Sequence, residues 1–223
     1  MRRRGRPANP RGSTPAGKAR GAAPGRVRII GGRWRGSRLD VADVAGLRPT
    51  TDRTRETLFN WLQARVAGAR CLDLFAGSGA LGLEAASRGA ASVVLVERDG
   101  AQAATLRDTA ARLESAGPGG VVEVVTGDAL SWLRARAGAP FDLVFLDPPF
   151  ASDHWHHVFT ALAPHLSGNA VVYLECAAGS LPVVPATWTM HRQARSHEVE
   201  ARLFIVADTL GDSPSEAQDP NTG

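Results

Sequence analysis

Cys71-Leu72-Asp73-Leu74-Phe75 leads into Ala76-Gly77-Ser78-Gly79-Ala80-Leu81-Gly82, an apolar stretch of strand character followed by a glycine-rich turn into a helix. Gly77, Gly79 and Gly82 have the spacing of the dinucleotide fingerprint, in which glycines let the backbone approach a ligand closely. Spacing alone does not choose the ligand. Glu97 ends the next apolar strand, twenty residues past Gly77, where an acid can take both hydroxyls of an adenosine ribose. Asp73 lies four residues before Gly77, near the point where a pyrophosphate would approach. A carboxylate there disfavours NAD and suits a ligand with an ammonium group. S-adenosylmethionine has an adenosine, no phosphate, a sulfonium and an amino acid end.

Outward from this turn, strands and helices alternate. Strands are expected at 70–75, 92–97, 121–126, 141–146 and 169–175, and helices at 79–88, 100–115, 128–137 and 154–166. That alternation predicts an α/β fold, a doubly wound and mostly parallel sheet. Thr187 to Ala194 and Glu198 to Ala207 read as an antiparallel hairpin at one edge. Before the first helix, Val27 to Ile30 and Ser37 to Val41 read as short strands within a small β extension, residues 26–45. Arg48-Pro49-Thr50-Thr51-Asp52 leads to a helix with Leu58, Trp61, Leu62 and Val66 on one face. The catalytic domain is expected over 26–208, between a disordered arm at 1–25 and a disordered tail at 209–223.

Ligands of open α/β sheets sit outside the carboxyl ends of the strands. Asp73, Glu97, Asp128 and Asp147 all fall at such ends. Asp128, with Ala129 beside it, either caps the next helix or accepts the adenine amino group. Asp147-Pro148-Pro149-Phe150 closes an apolar strand with an acid, two prolines and a ring. Proline carries no N–H, so this loop offers acceptors followed by a flat apolar face. Asp147 and the Pro148 carbonyl can hold the two N–H groups of an amine on a planar substrate while Phe150 stacks on it.

The formal charge of +4 hides an asymmetry: residues 1–39 hold twelve Lys or Arg and no acid, whereas 40–223 hold fourteen bases and twenty-two acids. A basic arm on an acidic body points to nucleic acid, although a solubilising tail would have the same composition. Arg28, Arg33, Arg35, Arg38 and Arg48 surround or follow Trp34, a combination suited to RNA. Trp34 could equally cover the edge of the core. Cys71 and Cys176, the only cysteines, form no metal-binding spacing and fit a reducing cytosol. No metal site and no membrane span are expected, and Pro7, Pro10, Pro15 and Pro24 oppose the amphipathic helix of a mitochondrial transit peptide.

Asp73 to Gly79, Glu97, Asp128 and Asp147 to Phe150 resemble the successive motifs of class I S-adenosylmethionine-dependent methyltransferases acting on exocyclic amines. Arg28-Ile29-Ile30-Gly31-Gly32, Arg48 to Leu62 and Leu81-Gly82-Leu83-Glu84-Ala85 more narrowly resemble the RsmD family, which methylates guanine N2 in bacterial small-subunit ribosomal RNA. The resemblance covers about residues 27–207. It implies that Asp73, Phe75, Gly77 and Gly79 line the methionine end of the cofactor, Glu97 its ribose, and Asp128 and Ala129 its adenine. Asp147, Pro148, Pro149 and Phe150 would hold the base. The family more often has Tyr at the position of Phe150, and Arg107-Asp108-Thr109 replaces an asparagine-bearing stretch common in relatives. The implied partner is ribosomal RNA or an assembling small subunit, met by a cytoplasmic monomer.

Other classes stay open on the residues alone. An amine methyltransferase of DNA adenine or protein amides would use the same acceptor loop. An NAD oxidoreductase leaves Asp73 and the Asp-Pro-Pro-Phe loop without a role, and a cytosine C5 enzyme needs a cysteine in a Pro-Cys loop. A non-catalytic RNA-binding protein would keep only the arm.

Overall fold

The structure, a computed structural model, describes residues 27–40, 52–148 and 155–207. The expected arm, the tail, Arg48, Pro149 and Phe150 lie outside the described residues. A two-stranded antiparallel ribbon, β1 (Val27–Arg28) with β2 (Arg38–Leu39), precedes α1 (Asp52–Trp61). Then follow β3 (Arg70–Asp73), α2 (Ala80–Ser87), β4 (Ser92–Glu97), α3 (Gly100–Ser115), β5 (Val121–Thr126), α4 (Ala129–Ala135) and β6 (Phe141–Leu146). The chain continues through α5 (Trp155–Leu162), a 3-10 turn at Ala163–His165, β7 (Leu166–Ala177), β8 (Trp188–Arg195) and β9 (Val199–Val206).

The main sheet has seven strands in the order β5-β4-β3-β6-β7-β9-β8. Strands β5 to β7 along that order are parallel, and β9 and β8 are antiparallel additions. The expected doubly wound sheet with its edge hairpin is therefore present. From β3 the chain builds outward to β5, then returns to place β6 on the other side of β3. This reversal opens a crevice above the carboxyl ends of β3 and β6.

Burial on both faces explains why β6 is apolar without a break from Leu143 to Leu146. Leu143 and Phe145 join Cys71, Phe59 and Tyr173 in one core cluster, on the side of α1 and α2. Val144 and Leu146 join Leu72, Leu174, Val158 and Phe159 in the other. Phe59 and Tyr173 meet Phe145 with ring centroids 6.0 and 6.4 Å apart, so α1 is fastened to the middle of the sheet.

Several boundaries differ from expectation. β3 stops at Asp73, two residues early, because the Ala76 N–H turns away to the Val96 carbonyl at 2.9 Å. β7 starts at Leu166 rather than 169, since Pro164 confines the preceding segment to a 3-10 turn and Leu166 already pairs with Phe141. Asn169, at a φ of 60°, absorbs the register break that follows. Leu62 and Val66 are buried as expected but lie beyond α1, in turns closed by the Val66 N–H to the Leu62 carbonyl.

Candidate active site

The glycine turn is shaped from below. Gly77 and Gly79 have φ values of 50° and 72°, which side chains rarely adopt. At Gly82 a Cβ would stand 2.2 Å from Leu95 Cδ2 and 3.2 Å from Asp73 Cβ. The third glycine thus lets α2 lie directly on β3 and β4. Asp73, 2% exposed, accepts a hydrogen bond from the Gly82 N–H at 2.9 Å. Burial above all, and then the charge of Glu97, push its carboxyl up to about 7, against the pull of the Gly82 and Phe75 N–H groups. Sequence reading expected an uncompensated acid at the cofactor's amino acid end. In the structure its carboxylate braces the turn from beneath, because β3 aims it at the start of α2.

Glu97 holds the turn from the side. Its Oε2 accepts from the Gly77 N–H at 2.8 Å and its Oε1 from the Asp99 N–H at 2.7 Å. In a dinucleotide-binding protein the N–H groups of this turn face a pyrophosphate; here one of them is taken by a carboxylate. A phosphate at the turn would meet the Glu97 carboxylate, so the arrangement disfavours NAD. It fits adenosine without phosphates, since carboxylate oxygens with spare lone pairs can accept ribose hydroxyls. Phe75 and Gly77 are half-buried beside this acid. Gln102, fully buried, completes the clamp by donating Nε2–H to the Gly77 carbonyl at 2.7 Å. Sequence reading missed Gln102. Its signal was a long polar side chain in the first turn of α3, immediately after the Asp99 cap.

Asp128 is the N-cap of α4. Its Oδ1 accepts from the Ser131 N–H at 2.9 Å and hydroxyl at 3.0 Å, and the N–H bond above all holds its carboxyl below the usual range. Of its two expected roles, capping is the one with a partner in place. Ala129 is buried behind it. Asp147 and Pro148 follow β6 at the crevice, Asp147 half-buried and Pro148 buried. Because Asp73 pairs with Phe145 across β3 and β6, Asp147 stands two residues further toward the opening. Asp73, Gly77, Glu97 and Asp147 are thereby brought to one end of three adjacent strands, with Asp128 at the end of the fourth.

The N-terminal ribbon corrects one expectation. Trp34 is 3% exposed, its Nε1–H donates to the Gly117 carbonyl at 3.1 Å, and a Cβ on Gly119 would strike its ring. No face of Trp34 is open to a base; it covers the core edge. Arg28, Arg33, Arg35 and Arg38 are exposed around it, with Arg28 3.6 Å from Asp52. Beneath them lies a network that sequence reading also missed. Glu84, fully buried, accepts from the Ile30 and Gly31 N–H groups at 2.7 and 2.8 Å and from Arg88 Nε at 2.6 Å. An acid within the otherwise small and apolar helix ALGLEAAS was the available signal.

Comparison with known proteins agrees with this geometry. The family model described as Conserved hypothetical protein 95 matches residues 27–205. Ribosomal RNA small subunit methyltransferase D of Escherichia coli K12 is 46% identical over 81% of this chain and 90% of its own length. The Haemophilus influenzae protein of that name is 40% identical over 82% and 95%. A solved structure of Escherichia coli yhhF, 44% identical, superposes with a TM-score of 0.73 over 82% of this chain and 99% of that one. The described residues include no helix long and apolar enough to cross a membrane and no cluster of side chains able to hold a metal. With the family model matching nearly all of the folded body and relatives this similar along most of their length, the chain belongs to the Conserved hypothetical protein 95 family, that of ribosomal RNA small subunit methyltransferase D.

Proposed function

We propose that this protein methylates the exocyclic N2 amine of a guanine in small-subunit ribosomal RNA, with S-adenosylmethionine as methyl donor. The observation that carries the reading is Asp147-Pro148 at the end of β6, beside an adenosine-type turn whose Gly77 N–H is already held by Glu97. The named relatives at 46% and 40% identity supply the substrate class.

When bound, S-adenosylmethionine supplies an electrophilic methyl group. The rest falls to the chain. Glu97 accepts from the ribose, while the turn at Gly77 and Gly79 admits the methionine end close to backbone. Asp128 or the adjacent backbone at Ala129 meets the adenine edge. Asp147 and the Pro148 carbonyl accept the two N2–H bonds, turning the nitrogen lone pair out of conjugation and toward the methyl carbon. Asp147 or water would take the proton that N2 releases once it has received the methyl group. Orientation of this kind is worth up to roughly 7–11 kcal/mol. Since a stacked base cannot enter, the target guanine is unpaired or flipped. Arg28, Arg33, Arg35 and Arg38 would give further phosphate contacts from the ribbon, which packs against the last residues of α2 and α3, with Pro149, Phe150 and Arg48 as contacts outside the described residues.

Mass mapping of ribosomal RNA from cells with and without the protein tests the reading. The expected result is loss of one methyl group on a small-subunit guanine. Methyl loss from DNA or protein alone would replace the substrate class.

A further inference from the structure

Guanine presents three donors on one edge, N1–H and the two N2–H groups, and Asp147 with the Pro148 carbonyl answers only two. The β6–β7 register pairs Phe145 with Tyr173 and Leu146 with Leu174. Asp147 and Glu175 are the next residues on each strand, and neighbouring strands run about 4.8 Å apart. By the same alternation that puts Phe145 and Tyr173 in one core cluster, both acids face the side of the sheet that carries α1 and α2. Glu175 is only 4% exposed. Withdrawing a carboxylate from water next to a second one is costly unless hydrogen bonds offset it.

The side chain is also held in a fixed pose. Tyr173, fully buried one pleat below, donates its hydroxyl to Glu175 Oε2 at 2.6 Å. Burial first, and then the charges of Glu175 and Asp147, keep that hydroxyl protonated well above the ordinary tyrosine range. Across the other edge of β7, Glu175 pairs with Ala201 of β9, a small neighbour. The pair is thus an oriented acceptor at the mouth of β7, adjoining the acceptor loop of β6.

We propose that Glu175, oriented by Tyr173, accepts the N1–H of the target guanine and so selects guanine over bases with a bare N1. This rests on the guanine-N2 reading above. Adenine and 2-aminopurine present a lone pair at N1, which would face the carboxylate unpaired; sites built on such donors reject analogues lacking them by large factors. Tyr173 acts only through Glu175 and is a positioning residue.

The test uses the full chain and the small-subunit RNA or particle that it methylates, carrying either guanine or 2-aminopurine at the mapped position. 2-Aminopurine keeps the amine but has a bare N1. The wild-type protein should prefer guanine strongly in kcat/KM. Glu175→Gln, whose amide can donate to the bare N1, should lower that preference by at least about tenfold, with cofactor affinity unchanged by calorimetry. Tyr173→Phe should lower it in the same direction by less, and it serves if the first variant does not fold. An unchanged preference in the soluble variants, including equal loss of rate on both substrates, overturns the role of Glu175. A wild-type protein inactive on the guanine substrate sinks the guanine-N2 reading instead, and the two failures are distinct.

Discussion

Arg55 and Glu84, neither with any exposed side-chain surface, stand 3.9 Å apart between α1 and α2. Arg55 also donates to the Arg28 carbonyl at 2.9 Å and to Asp52 at 2.6 Å, and Glu84 receives the backbone of Ile30 and Gly31. The pair ties the N-terminal ribbon, α1 and the cofactor-side helix into one body. Removing Glu84 would leave Arg55 with Asp52 and the Arg28 carbonyl and take the acceptor from the Ile30 and Gly31 N–H groups, a loss on the order of the 3–5 kcal/mol for breaking a buried pair. Glu84→Ala should lower the urea midpoint accordingly, whereas Arg55→Met with Glu84→Leu should recover much of the loss. Equal instability of the single and double variants would show that the backbone bonds to Glu84, rather than the ion pair, hold the ribbon.

Glu97 has a double duty, bracing Gly77 and accepting from the cofactor. Glu97→Ala should weaken S-adenosylmethionine binding by about 1.5–3 kcal/mol, the range for charged hydrogen bonds. Gln102→Ala should weaken it by less, since it frees the Gly77 carbonyl without touching the ligand. Calorimetry measures both, and NAD should give no heat with any of these proteins. Binding of NAD in place of S-adenosylmethionine would overturn the cofactor assignment.

Asp147→Ala should abolish methyl transfer while leaving cofactor affinity nearly intact, because the lost interaction is with the amine. Single-turnover assays with labelled cofactor, run beside calorimetry, separate the two effects. A parallel collapse of cofactor affinity would move Asp147 to the cofactor site.

Asp73 makes stability fall as pH rises. Its folded carboxyl is raised to about 7 from the ordinary 3.8, so between these values the native state binds more protons than the unfolded one. The slope of stability with pH is then negative across that window. Asp73→Asn keeps an oxygen for the Gly82 N–H and removes the buried charge. The variant should therefore be more stable than wild type at pH 8, by on the order of a few kcal/mol at most, with the gap closing toward pH 5. Thermal melts across pH 5–8 check this. A gap independent of pH would mean that Asp73 stays ionised throughout.

The alternation of strands and helices was legible because the central strands β3, β6 and β7 are buried on both faces and the helices are bracketed by turn residues; β4, α3, β5 and β6 fall at the expected bounds. The strand-end acids were legible because strand ends are marked by Gly and Pro. Which role each carboxylate takes was not, although capping was one of the two read for Asp128. Asp73 points into the sheet-helix seam and Asp128 caps a helix, outcomes decided by neighbours such as Gly82 and Ser131. Trp34 misled because its flanking arginines are exposed while its own ring is packed against Gly119, eighty-five residues away. The backbone partners of Glu84, Ile30 and Gly31, lie more than fifty residues distant in the chain, a separation that no local pattern reports.

The basic N-terminal segment carries the last prediction. Twelve Lys or Arg without one acid in residues 1–39 supply an electrostatic term independent of the base pocket. If about six of them meet phosphates of single-stranded or irregular RNA, the logarithm of the binding constant should fall with that of salt at a slope near −4. Deleting residues 1–25 removes seven of the twelve, so affinity should drop and the slope flatten. Saturating substrate should still be methylated, because Glu97, Asp147 and the glycine turn lie in the folded body. Arg28, Arg33, Arg35 and Arg38 remain exposed on the ribbon that Glu84 anchors, so the residual slope should fall again when these four are replaced by Gln. Filter binding across a salt series measures each step. An unchanged affinity and slope after the deletion would make the segment a solubilising tail and leave the ribbon as the RNA contact.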